Sequence, residues 1–190
     1  MSYDSAVLIN IEKQENVTQE SILRFSKWMS ENNFLPLSDH LKDGEKAATV
    51  EYYFYDEDTD EEDEETVEIN NLETIKEFIS SKNIDCVSLD VEGGNKELEV
   101  EFDSLLVELD KNEASYLGRA WKFGYGFGNV ADPVAGVREG WSFYINTSGY
   151  IPDFELLDET FSKGLVIKKI RSAIEQIFES KTSIIGCLTG

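Results

Sequence analysis

The sequence predicts an α+β fold, an antiparallel or mixed sheet with helices on one face. Three observations carry that expectation. Segments with strand-like alternation interleave with segments of helical periodicity along the whole chain. Hydrophobic residues are 41% and aromatic residues 12% of the composition, enough for a packed core and too many for wholesale disorder. The length, 190 residues, suits one core. The expected organisation is a single domain over residues 1–190, with an acidic α+β half (1–110) and a second half (111–190) holding a Gly/aromatic hairpin and a C-terminal helix.

Ala6–Glu12 opens as a strand, because Val7, Ile9 and Ile11 alternate with polar or small residues. Thr18 is an N-cap type, and Ile22, Phe25 and Met29, with Trp28 on the flank, give Ser21–Asn32 the stripe of a helix. Asn32-Asn33 marks its stop, and residues 36–47, with Pro36, Asp43-Gly44 and the only histidine, His40, form a loop. Thr49–Tyr55 is β-branched and aromatic, hence a strand. An acidic run over Asp56–Glu65 then serves as the long tip of a hairpin whose return strand is Thr66–Asn70. Asn71 caps a helix over Leu72–Lys82, with Leu72, Ile75, Phe78 and Ile79 on one face. Ile84–Glu92 is a strand, Gly93-Gly94-Asn95 a turn, and Glu97–Leu109 the partner strand. This succession admits a ferredoxin-like βαββαβ unit with one strand added.

The last third changes character. Gly118, Gly124, Gly126, Gly128, Gly136 and Gly140 crowd together, and Trp121, Phe123, Tyr125 and Phe127 alternate with Lys122 and two of the glycines. That is strand period with aromatics on one face and glycine on the other. Trp141–Thr147 is the expected partner strand and Gly128–Gly140 the loop between them. Leu165–Ser180 carries Ile167, Ile170, Ile174, Ile177 and Phe178 on one helical face, and Ser183–Leu188 is apolar enough to dock as a final strand.

The net charge of -22 is the outlying property, and it is lopsided. Residues 43–110 hold 24 acids against four bases, whereas residues 111–190 hold nine of each. Such a balance repels nucleic acid and anionic membranes and attracts a basic partner. The two cysteines, Cys86 and Cys187, lie far apart with no CxxC pattern, so no disulfide framework is expected. Met1–Asn10 has no basic n-region and no apolar run approaches a membrane span, so the expected location is cytoplasmic.

Catalytic motifs are missing: the sequence has no GxSxG, HExxH, Walker A or Cys/His cluster. Asp56, Asp58 and Asp60 begin like a calcium loop, but Glu61 replaces its turn glycine and Val67 its twelfth-position acid. No cofactor and no metal are therefore expected. Two acidic features remain. Ten of the 13 residues from Asp56 to Glu68 are acids. On the predicted strand 97–103, Glu97, Glu99, Glu101 and Asp103 would all face away from Leu98, Val100 and Phe102. Glu51 and Glu68 would join the same open sheet face.

These features point first to an inhibitor of the immunity type that neutralises a basic toxin or nuclease. Its contact residues would be Glu97, Glu99, Glu101 and Asp103, with Glu51, Asp58, Asp60 and Glu62, and with Tyr53 and Tyr55 as aromatic anchors. A bland alternative is a wet sheet face and a solvated loop. Other readings are a nucleic-acid mimic, which needs acids in two rows, an adaptor or structural subunit, and a small-ligand binder. The last would use a groove in 118–141 lined by Trp121, Tyr125, Arg138 and Trp141.

Overall fold

The computed structural model describes residues 4–109, 123–132, 137–147 and 154–189. In chain order the elements are β1 (Asp4–Ile11), α1 (Gln19–Glu31), β2 (Thr49–Asp56), β3 (Glu61–Glu68), α2 (Leu72–Ser81), β4 (Val87–Glu92), α3 (Lys96–Leu109), β5 (Gly124–Asp132), β6 (Val137–Thr147), α4 (Leu157–Phe161), α5 (Leu165–Ile177) and β7 (Thr182–Thr189). The strands form one seven-stranded sheet in the order β3-β2-β4-β5-β6-β1-β7. Every neighbouring pair is antiparallel. The α+β expectation holds. A ferredoxin-like unit would set β1 beside β4, but here β1 lies between β6 and β7, and β4 between β2 and β5.

Local sequence explains most of the elements. Thr18 and Ser21 close a reciprocal capping box on α1, and Asn33 ends that helix at a positive φ of 63°. Asn71 accepts from the Thr74 N–H to cap α2. The strands β1, β4, β5 and β6 send alternate residues into one core, including Val7, Ile9, Leu89, Val91, Tyr125, Phe127, Phe143 and Ile145. The amphipathic faces of α1, α2, α3 and α5 close over the same core through Phe25, Ile75, Phe102 and Ile170. Phe25 lies 5.1 Å from Phe127 and 5.8 Å from Phe178, ring centre to ring centre. All of these helices therefore cover one face of the sheet. Among the described residues the other face carries a small cluster of Ala6 and Leu8, both buried, with Val130, Tyr144 and Ile185 packed against them.

Four segments depart from the sequence reading. The region Glu97–Leu109 is a helix, not a strand. Gly93 and Gly94, at φ 75° and 88°, turn the chain sharply, and Asn95 then accepts from the Leu98 N–H at 3.0 Å as a helix cap. Leu98, Phe102, Leu105, Leu106 and Leu109 supply the buried helical stripe, while Val100 is 58% exposed. The acidic run is not a loop. Strand β3 begins at Glu61, so the tip shrinks to residues 57–60, with Asp60 in the left-handed region at φ 57°. The segment after Gly128 stays in β5 as far as Asp132, and β6 starts at Val137. Finally, Ile84–Cys86 is a 3-10 turn leading into β4.

Candidate functional site

The strands β2 and β3 pair over eight residues each, from Thr49↔Glu68 to Asp56↔Glu61. Strand β4 pairs only with Thr49–Tyr52. The part of the hairpin from Tyr53 to Glu64 consequently projects beyond its neighbour as a two-stranded ribbon. Five consecutive acids, Glu61–Glu65, are poor strand formers. They sit opposite Asp56, Tyr55, Phe54, Tyr53 and Tyr52 in turn. Four of the five thus face an aromatic ring, which favours cross-strand packing and keeps acid away from acid.

Because opposite residues share a face, the ribbon has two distinct sides. On the helix side Tyr52 packs against the core, and Phe54 lies 5.5 Å from it. The Lys82 ammonium sits 5.1 Å over the Tyr52 ring and 2.7 Å from the Glu65 carboxylate. That hydrogen bond holds the lysine above its usual pKa. The open side carries Glu51, Tyr53 and Tyr55 on β2, with Glu62, Glu64 and Thr66 on β3. Tyr53 and Tyr55 are 46% and 55% exposed, and Phe54, across the ribbon, is 39% exposed. The Tyr53 hydroxyl donates between Glu51 Oε2 and Glu64 Oε1, at 3.3 and 3.2 Å. The Tyr55 hydroxyl donates to Asp60. Asp58 is on the tip, its N–H bonded to Asp56 Oδ1 at 2.9 Å.

At the root of this side Asp90 lies opposite Thr49 and next to Glu51. Burial raises the Asp90 carboxyl, against a lowering hydrogen bond from Tyr144 at 3.2 Å. Burial also raises Glu51, and the Asp90 charge adds to it. The Tyr53 phenol is pushed up by burial and by the two carboxylates it touches.

The predicted site residues are thus split. Glu51, Tyr53, Tyr55 and Glu62 share one side of the hairpin, with Asp58 and Asp60 at its tip. Glu97, Glu99, Glu101 and Asp103 belong to α3, which packs on the opposite face of the sheet. They do not form a row, because successive helical residues are rotated by about 100°. Glu99 ion-pairs with Lys96 at 3.2 Å. Glu101 accepts from the Val166 and Ile167 N–H groups, at 3.0 and 2.9 Å, and so caps α5 from another helix.

Of the aromatic residues predicted to line a groove in 118–141, Tyr125 and Trp141 are described, and neither lines one. Tyr125 is fully buried, with its hydroxyl donating to the Phe34 carbonyl. Trp141 is buried and stacked 5.6 Å from Phe127. Both side chains fill the core. Trp121 lies outside the described residues, as does the side chain of Arg138. The glycines of β5 admit close packing instead. Gly126 lies under the Tyr144 ring, which reaches across it to the Leu89 carbonyl and Asp90.

Sequence reasoning did not single out Glu64 within the acidic run, and did not place Asp90 beside the hairpin. The alternation of Tyr53 and Tyr55 along β2 was the available signal, since it fixes which β3 acids lie beside them. Among the described residues no group of His, Cys, Asp and Glu is arranged to hold a metal ion, and no helix is long and apolar enough to cross a membrane. The chain matches no protein-family model, no curated protein and no solved structure.

Proposed function

We propose that this chain is a protein-binding inhibitor of the immunity type, which docks the β2–β3 hairpin onto a basic surface of a toxin or nuclease. One observation carries the reading: Tyr53 and Tyr55 stand exposed on one side of a projecting ribbon of acids, with Phe54 exposed on the other. Exposed rings at the centre of a charged rim have the composition of a binding hot spot. The acids steer a basic partner and select against acidic ones. The arrangement supports protein docking over mimicry of nucleic acid. A duplex mimic needs two rows of charge, whereas the open side sets one row of acids on β3 against tyrosines on β2.

The test is a pull-down from the native host with the tagged full chain, washed at low and then high salt, beside the Tyr53→Ala/Tyr55→Ala variant. The expected result is one basic protein, retained by the wild type, weakened by salt and lost by at least tenfold in the variant. Equal capture by both chains refutes docking through this hairpin, and so does capture of acidic proteins only.

A further inference from the structure

Among the described residues β3 is the outermost strand of the sheet and no strand pairs with its outer edge, which is where the hairpin reading can be taken further. The Ile69 N–H donates to the Ala48 carbonyl at 2.8 Å, and the β2–β3 register, continued by one residue, sets Ile69 opposite Ala48. Hydrogen-bonded pairs alternate in an antiparallel ladder. The inward set on β3 is therefore Val67, Glu65, Asp63 and Glu61, and the backbone groups of Thr66, Glu64 and Glu62 point away from β2. Of these, the Glu64 N–H is held by its neighbour's carboxylate, Asp63 Oδ1, at 3.2 Å. The backbone groups of Thr66 and Glu62 have no partner among the described residues. At the root of the hairpin residues 36–38 enter between the strands, where the Ala48 N–H donates to the Pro36 carbonyl and the Ser38 N–H to the Ile69 carbonyl.

An open edge of this kind is a template for another strand. A second copy of this chain is the wrong occupant. Two β3 edges side by side would set Glu61–Glu65 and Glu68 of one chain against the same acids of the other, and like charges directly opposite destabilise a pair. An extended basic segment is the right one. Its side chains on one face would lie beside Glu62, Glu64 and Glu68, and on the other beside Glu61 and Asp63. Resting on the docking function above, we infer that a basic segment of the protein partner adds to the edge of β3 as an eighth strand.

The probe is an eight-residue acetylated and amidated peptide of alternating Lys and Thr, titrated into the full chain at low salt. Amide hydrogen exchange is read at Thr66 and Glu62, and affinity is measured against Thr66→Pro and Thr66→Ala. Proline removes the outward N–H, keeps every acid and is tolerated on an edge strand. Strand addition predicts slowed exchange at Thr66, a loss of about tenfold in affinity for T66P, and little change for T66A. A peptide N-methylated at alternate residues gives the same reading on the wild-type chain: one of the two alternating sets loses binding and the other keeps it. Equal affinity for wild type and T66P, or equal loss for both methylation sets, overturns the eighth strand. The two readings separate by variant. Hairpin docking fails if Y53A/Y55A retains the natural partner, whereas strand addition fails if T66P retains the peptide.

Discussion

Replacing Glu101 by alanine is expected to destabilise the fold. Helix α5 starts after Gly164, which offers no side chain to its first N–H groups. The carboxylate of Glu101, on α3, takes that place, accepting from Val166 and Ile167 at 3.0 and 2.9 Å. Loss of a side-chain cap costs about 1 kcal/mol. Loss of a negative charge at a helix N-terminus adds about 0.5–1 kcal/mol. The sum for Glu101→Ala is about 2 kcal/mol, below the sum for two buried charged hydrogen bonds because the side chain is only half-buried. Glu101→Gln keeps one acceptor without the charge, for a loss of about 1 kcal/mol. With a urea slope of about 2 kcal/mol per M, alanine lowers the unfolding midpoint by about 1 M. Glu99→Gln supplies the control. It removes an exposed ion pair with Lys96, and its effect should stay below about 0.5 kcal/mol. Gly164 gives a second handle, since a Cβ there would stand 2.7 Å from Glu101 Oε2. Gly164→Ala should therefore destabilise the wild type more than the Glu101→Ala variant. If Glu101→Ala unfolds within about 0.3 kcal/mol of wild type, the cross-helix cap is not formed in solution.

Three further outcomes are expected. Gly126→Ala should destabilise by about 2–3 kcal/mol or prevent folding, because the added methyl overlaps the Leu89 carbonyl and the Tyr144 ring; thermal melting checks it. Asp90→Asn should gain stability relative to wild type as pH rises. Burial raises the folded carboxyl, so the native state binds its proton more tightly than the unfolded chain, and wild-type stability falls from the ordinary Asp range, about 3.9, upward through the raised value. Urea unfolding of both chains at pH 4 and pH 7 reads the difference, and an equal gap at the two pH values contradicts it. Tyr125→Phe should cost about 1–2 kcal/mol in unfolding free energy, since it leaves the buried Phe34 carbonyl without the hydroxyl that donates to it.

The legible parts of the sequence were those in which one local rule operates. Thr18 and Asn71 marked their helices because a capping side chain acts within one turn. The alternation of Phe123, Tyr125 and Phe127 marked an aromatic side and a glycine side of β5, and the core confirms it. Region 97–109 misled because Leu98 and Phe102 satisfy two periods at once: they are two alternations apart in a strand and one turn apart in a helix. Val100 and Leu105 distinguish the two. A strand would bury Val100, which is exposed, whereas the helix buries Leu105 and Leu109. Asp56–Glu65 misled for the opposite reason. Its acids disfavour a strand locally, and only the aromatic residues of β2, across the hairpin, supply the partners that make one. Sheet order was illegible because β1 bonds to β6 and β7, both more than 130 residues away in sequence.

The distribution of acids gains a physical reading from these pairings. In the chain the excess charge fills one continuous third, yet the fold sends most of it to two places that do not cooperate. On α3 one acid is engaged in capping α5 and another in a local ion pair. On β2 and β3 the acids lie on a ribbon that leaves the sheet after Tyr52, so their mutual repulsion acts on a projecting element and spares the core. Four lysines spread along β3 would relieve that repulsion equally well and would blunt the free edge just as effectively. Among the described residues the ribbon has one close lysine, Lys82, and it closes the helix side at Glu65, not the open side or the outer edge. The open side is left with acids beside exposed tyrosines, and no base among the described residues ion-pairs with them. A surface under selection for solubility alone has no need of the rings, and one under selection for packing alone has no need of the acids. The proposed docking to a basic protein would use both on the same strand pair, which is why the hairpin, and not α3, is the place to mutate first.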